Sequence, residues 1–333
     1  MVLERDSSIL GYPGEISKAL AADHHGVCKY ENMGDPNYIT VRNVLKSLVS
    51  KIISTSKPDK ASASNRKDAR DLKTLLGITE LPDIDYIFFR DQWVQGTSDW
   101  ILHEKKYLEL LHARESMPRI LWLKGGPGTG KSVLSSFVVN NLAEQGCRCQ
   151  YFFIRFGDHK KRTLGFLLRS IAFQVAQVVP DFLDKVIELS DEGIDFANSD
   201  PRALWERVFK NLLFKIHENE PLYWIIDGVD EADSPRAVIR LISNISTSSI
   251  PIRIILVGRM TSEIQTAFQK VPNKLNPSSI SIEGHLEDLR SYIRQELSMS
   301  GSPEFKESIV KRIVNGSQNN FLVSRSPSHQ KRY

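Results

Sequence analysis

The sequence predicts an α/β fold, a three-layer sandwich whose five-stranded parallel sheet is covered by helices on both faces. Apolar runs of strand length alternate with helical patterns along the chain. Those runs are almost unbroken in apolar residues, as strands buried on two sides require. The first of them breaks into four glycines within six residues (Gly125, Gly126, Gly128, Gly130) before an apolar helix resumes.

RILWLK (119–124) is the first strand, and a helix follows from Lys131 to about Gln145. CQYFFIR (149–155) is the second, with helices through 163–190 and 201–217 after it. LYWIID (222–227) precedes a helix near 235–246, IRIILVG (252–258) precedes another, and ISIE (280–283) leads into a helix over 286–298. The stretch 71–118 reads as a helical lead-in and carries Trp93, Trp100, Leu108 and Leu111. A front piece (1–53) and a linker (54–70) precede it. The sheet domain is expected over 119–300, the start of a helical domain over 301–323, and a polar, basic, disordered tail over 324–333. No internal repeat is visible.

With 333 residues, 41% of them apolar and 25% charged, the composition is that of a globular protein. No apolar run approaches the roughly 20 residues that cross a bilayer. The start, MVLERDSSIL, lacks a basic stretch followed by an apolar one, so a cytoplasmic protein without a membrane partner is expected. Cys28, Cys147 and Cys149 form neither a disulfide framework nor a zinc motif and read as half-buried thiols. The net charge of +4 is accounted for by residues 51–70, where six basic residues meet two acids. That segment has no aromatic side chains to stack on bases, and it reads as a solvated linker rather than a nucleic-acid surface.

The glycine cluster fits G-x-x-x-x-G-K-[ST] as Gly125, Gly130, Lys131 and Ser132, between a strand and a helix. Glycines let such a loop turn its N–H groups inward, and the helix N-terminus adds partial positive charge. Lys131 supplies a full charge to β and γ oxygens, and the Ser132 hydroxyl is suited to Mg²⁺. The expected nucleotide-binding residues are Gly125, Gly126, Pro127, Gly128, Thr129, Gly130, Lys131, Ser132 and Val133.

YWIIDGVDEAD (223–233) supplies the second motif. Asp227 closes an apolar strand, which places a carboxylate where nucleotide-bound Mg²⁺ is held, so Ser132 and Asp227 are the candidate metal residues. One of Asp230 and Glu231 is positioned to orient or deprotonate an attacking water. In fast ATPases a glutamate directly follows the aspartate, whereas here that place is Gly228, so slow hydrolysis is expected. Arg259 ends IRIILVGR (252–259), where an arginine either pairs with the γ-phosphate and reports its loss or forms a salt bridge to the Asp230–Glu231 loop.

GGPGTGKS (125–132), IIDGVDE (225–231), LVGR (256–259) and the upstream GTSDWIL (96–102) together resemble the NACHT family of STAND NTPases, in particular fungal NLR-like and heterokaryon-incompatibility proteins. The resemblance covers about residues 85–300. It implies a P-loop NTPase core in which the Arg259 strand lies between those leading to Lys131 and Asp227. It also implies ATP, ADP and Mg²⁺ as ligands, a closed ADP state, an ATP state that forms homo-oligomers, and an unidentified signalling partner. Residues 286–316 match the start of the helical domain that follows in the family, and the sequence ends before the winged helix that comes next. ALAADHHGVCKYENMGDPNYITV (19–41) resembles the end of a lipase-like α/β-hydrolase domain, with His24 at the triad histidine and Asp23 before it. No G-x-S-x-G elbow occurs in the chain, so this is a truncated remnant without esterase activity.

The expected function is a slow nucleotide-dependent signalling switch. A truncated, hydrolysis-incompetent P-loop scaffold is the alternative. A small-molecule kinase would share the loop but needs an acceptor site, for which DHKKR (158–162) is the nearby basic cluster.

Overall fold

The computed structural model describes residues 72–113, 118–245, 248–275, 277–296, 302–317 and 321, with Tyr38, Val41 and Arg42. The hydrolase-like piece with Asp23 and His24, the linker, the tail and Cys28 lie outside the described residues.

Five strands, β1 (Arg119–Lys124), β2 (Arg148–Phe153), β3 (Leu222–Asp227), β4 (Ile252–Gly258) and β5 (Ser278–Ser281), form one sheet in the order β2-β3-β4-β1-β5. Every pairing is parallel. The described helices include α1 (Asp83–Arg90), α2 (Lys105–Leu111), α3 (Lys131–Glu144), α4 (Leu164–Ala176), α5 (Pro180–Asp191), α6 (Pro201–Leu204), α7 (Pro235–Ser243), α8 (Ser262–Phe268), α9 (Leu286–Glu296) and α10 (Pro303–Ser317).

Alternation along the strands divides the interior in two, because successive side chains leave a strand on opposite faces. Ile120, Trp122, Phe152, Trp224, Ile226, Ile254 and Leu256 pack with α4, α5, α7 and α8. Leu121, Leu123, Tyr223, Ile225, Ile255 and Val257 pack on the other side with Leu134, Val138 and Leu142 of α3 and with Tyr107 and Leu110 of α2. All positions of β3 and β4 are buried, which is why these segments carry no polar alternation. A third, small cluster of Leu289, Ile293, Val310 and Val314 joins α9 to α10.

β4 lies between β1 and β3, as the resemblance implied. The carboxyl ends of β1, β3 and β4 therefore meet at one sheet edge, with Lys124 opposite Gly258 in register.

Local chemistry starts the helices. Thr163 and Thr261 cap α4 and α8 through their hydroxyls, and Ser234 caps α7 ahead of Pro235. Three segments depart from the sequence expectation. The lead-in breaks into α1, a 3₁₀ turn (Asp99–His103) and α2. The expected helix over 201–217 is α6, a π-helical turn (Trp205–Lys210) and a 3₁₀ turn (Leu213–Lys215). The wider turn accompanies stacking of Trp205 on Phe209 at 5.1 Å while Phe209 packs edge-on against Trp224 at 5.8 Å. β5 sits two residues earlier than expected, because its short backbone ladder, from Ser278 opposite Leu121 to Ser281 opposite Lys124, decides its limits rather than its apolar content.

Candidate functional site

The loop between β1 and α3 follows from its residue types. Gly128 and Gly130 sit at φ 71° and 78°, conformations that side chains with a Cβ resist, and Gly130 is the N-cap of α3. The first N–H groups of a helix have no helical acceptor, so those of Lys131 and Ser132 are available to an anion at the helix start. The Lys131 ammonium folds back onto Gly126 O at 2.5 Å, and Thr129 Oγ1 donates to the same oxygen at 3.0 Å. Burial pulls the Lys131 pKa below the usual lysine range, against the opposing pull of Asp227.

Asp227, at the end of β3, is 3% exposed. Its Oδ2 accepts from Ser132 Oγ at 2.5 Å and its Oδ1 from Ser135 Oγ at 3.0 Å. Burial raises its pKa to about 6, with the two serine hydroxyls pulling the other way. Among the described residues no group of three or more His, Cys, Asp or Glu side chains is placed to hold a metal ion. One hydroxyl touching one carboxylate is a donor set that suits Mg²⁺, which takes few protein ligands and completes its shell with phosphate oxygens and water.

Gly228 turns the chain off β3 at φ 72°, and a Cβ there would lie 2.6 Å from Ile154 O. This turn delivers Asp230 and Glu231. Asp230 Oδ1 accepts from Arg259 N at 2.9 Å, and its Oδ2 lies 3.2 Å from Arg259 Nε. The Arg259 side chain is 50% exposed and Asp230 is 7% exposed, so the carboxylate is fixed and the guanidinium reaches outward from it. Arg259 thus gives Asp230 both its backbone amide and its guanidinium. Glu231 Oε2 accepts from Phe156 N at 2.7 Å.

A cavity of about 380 Å³ opens over the loop and brings Pro127 through Leu134 together with Glu231 and Arg259. Its far end is built by residues that the sequence reading did not assign to the site. Asp288 on α9 accepts from Ser98 N at 2.8 Å and from Trp100 Nε1 at 3.1 Å, and His285 stacks on Trp100 at 3.6 Å. Burial raises the Asp288 pKa and lowers that of His285. Ser98 adopts φ 69°, so the GTSDWIL segment is a bent strap against α9. Phe321 N donates to Gly128 O at 2.8 Å and its ring meets Tyr292 edge-on at 5.4 Å. Glu283 Oε1 accepts from Gly126 N at 3.0 Å. These contacts span up to 193 positions of sequence, from Gly128 to Phe321, and carry no local signature.

The basic cluster at 158–162 is tied into the fold. Lys161 Nζ donates to Asp85 and Glu80, and Arg162 pairs with Asp233 at 2.9 Å. Cys147 and Cys149 are free thiols of intermediate exposure. No helix among the described residues is long and apolar enough to cross a membrane.

Residues 96–259 match the family model described as Nephrocystin 3, N-terminal. Over 202 residues the chain is 26% identical to vegetative incompatibility protein HET-E-1 of Podospora anserina, a stretch that covers 55% of this chain and 15% of that protein. Solved structures with a similar arrangement include the Aeropyrum pernix ORC1 protein in complex with DNA, at 12% identity over 64% of this chain and 54% of that one (TM-score 0.39). AMPPCP-bound DnaA from Aquifex aeolicus is 14% identical over 68% of this chain and 62% of that one (TM-score 0.33). The loop of 125–132 between β1 and α3 and the parallel sheet of order β2-β3-β4-β1-β5 give the chain a P-loop NTPase fold, within which residues 96–259 are similar to the Nephrocystin 3, N-terminal family.

Proposed function

We propose that the chain binds ATP or ADP with Mg²⁺ over residues 125–133 and acts in the cytoplasm as a slow, nucleotide-dependent signalling switch of the STAND kind, self-associating in the triphosphate state. The observation that carries this reading is the Ser132 Oγ to Asp227 Oδ2 contact at 2.5 Å, beside an ammonium group inside a loop of inward-turned backbone. A buried carboxylate closing an apolar strand is costly unless it serves a partner, and here its neighbours are a helix N-terminus and Lys131. Bound Mg²⁺ supplies charge neutralisation at the β and γ oxygens. Slow turnover is supported by the state of the two acids: Asp230 is held by Arg259, Glu231 is held by the Phe156 amide, and Gly228 stands directly after Asp227.

Titration of a fluorescent ATP analogue against the wild type and Lys131→Ala tests the reading. Loss of the ammonium is expected to weaken binding at least about tenfold, and equal affinity would rule the cradle out. Saturating ATP·Mg at 100 times its Kd adds about 2.7 kcal/mol of stability, so the thermal midpoint of the wild type rises and that of a tenfold weaker variant rises only about half as far. Mass in solution with ADP and then with a slowly hydrolysed analogue reports the self-association.

A further inference from the structure

The end of β2 carries a cation that the sequence motifs did not single out. Phe153 lies opposite Asp227 in register, and Ile154 N donates to Asp227 O at 3.0 Å. Arg155 therefore leaves the sheet at the same edge as the Asp227 carboxylate. The next residue, Phe156, donates its amide to Glu231. A polar cavity of about 650 Å³ opens here and shares Phe89, Ser132 and Glu231 with the cavity over the loop.

Two cations, Arg155 and Lys161, are among its lining residues. Lys161 is committed, with Nζ at 2.6 Å from Asp85 Oδ2 and 2.8 Å from Glu80 Oε1 and a side chain only 8% exposed. Arg155 is held far more loosely. Its Nε is 3.7 Å from Asp85 Oδ1, beyond hydrogen-bond distance, and its side chain is 36% exposed. The guanidinium rests over the rings of Phe88 and Phe89, 5.2 and 4.9 Å from their centres. Such stacking orients the planar group and leaves its N–H edges free for oxygen atoms. Arg259, by contrast, already gives Asp230 both its backbone amide and its guanidinium.

We propose that Arg155 contacts the terminal phosphate of a bound nucleoside triphosphate, swinging from its aromatic platform into the space shared by the two cavities. The proposal rests on the reading of 125–132 as a phosphate cradle. A diphosphate leaves Arg155 on the Phe88 and Phe89 rings, whereas a triphosphate draws it off them. Arg155 is then the group by which the site distinguishes the two nucleotides.

Calorimetric titration of ADP and of a slowly hydrolysed ATP analogue, at fixed Mg²⁺ and salt, tests this on the wild type, Arg155→Ala, Arg155→Lys and Lys131→Ala. Arg155→Ala is expected to weaken the triphosphate analogue about tenfold and ADP less than about twofold. Lys131→Ala weakens both. Arg155→Lys keeps a charge over the two rings, covers the case in which the alanine variant does not fold, and is expected to lose part of the triphosphate preference. An equal effect of Arg155→Ala on both nucleotides, no effect on either, or an unchanged preference in the lysine variant overturns the proposal. If the wild type binds neither nucleotide, the cradle reading itself fails, a result visible without any Arg155 variant.

Discussion

Asp227 is held against its own preference. Burial raises its pKa from 3.8 to about 6, so between those values the folded chain keeps a proton that the unfolded chain has released. Stability must therefore fall as pH rises through that window, and above it the charged carboxylate costs roughly 2–3 kcal/mol. Asp227→Asn removes the charge, keeps one acceptor oxygen for a serine hydroxyl and presents its NH₂ as a donor to the oxygen of the other serine. We expect the nucleotide-free variant to melt higher than the wild type at pH 7.5, with the gain gone at pH 4, and the Mg²⁺ dependence of nucleotide binding to disappear. Thermal melts at the two pH values check this, and equal destabilisation at both would contradict it. Asp227 and Lys131 were legible in the sequence because each stands at the junction of an apolar strand or helix with a glycine turn, which is a local pattern. Arg155 was not, since its meaning depends on Asp85 being neutralised by Lys161, 76 positions away, and on the two rings beneath it. Asp288, Glu283 and Phe321 escaped for the same reason: their partners Trp100, Gly126 and Gly128 lie on another part of the chain.

At the scale of single elements, β2 raises a different problem, because it is an edge strand with one side unpaired. Exposed edges recruit other strands unless something covers them. Gln174 of α4 does so by accepting from Tyr151 N at 3.0 Å and donating to Tyr151 O at 2.8 Å, a side-chain imitation of a sixth strand. Replacing it by leucine keeps the bulk and orphans both backbone groups. The expected loss is about 2–4 kcal/mol, from the cost of leaving two buried polar groups unsatisfied. Urea unfolding measures it, and a change within about 0.5 kcal/mol would show that water serves the edge equally well. Strands β1 to β4 were legible because a mostly apolar run bounded by Gly, Pro or Asp has few other solutions at that length, whereas β5, SSIS, has no such run. The helix expected over 201–217 was less so. Its periodicity reads as helical, but the packed rings of Trp205, Phe209, Phe214 and Trp224, one pair stacked and two edge-on, accompany a change in helix width that periodicity does not encode.

At the scale of the whole molecule, the α9–α10 pair carries a small hydrophobic cluster of its own beside the two cores of the sheet domain. Among the described residues its own core comprises four buried aliphatic residues, Leu289, Ile293, Val310 and Val314, with Tyr292, Ile313 and Phe321 packed against them, a small cluster for two helices. Support comes through the walls of the cavity over the 125–132 loop: Asp288 takes the Ser98 amide and the Trp100 indole, His285 stacks on Trp100, and Phe321 donates to the Gly128 carbonyl. α9, on which α10 packs, and the loop of 125–132 thus share one cavity, and a ligand filling it touches both α9 and the loop. Whatever binds the docked arrangement better than the released one must favour docking, by linkage. Trp100→Ala removes the ring under His285 and one donor to Asp288, and of the sheet domain it trims only a partly buried ring at the margin of the core. We expect amide hydrogen exchange in α9 and α10 to accelerate at least about tenfold in that variant, with exchange in β1, β3 and β4 unchanged. Saturating ADP should slow exchange in α9 and α10 of the wild type and restore part of the protection in the variant. Unaltered exchange in α9 and α10 of Trp100→Ala would mean that their docking does not depend on the 96–102 strap, and that nucleotide occupancy has no such route to them.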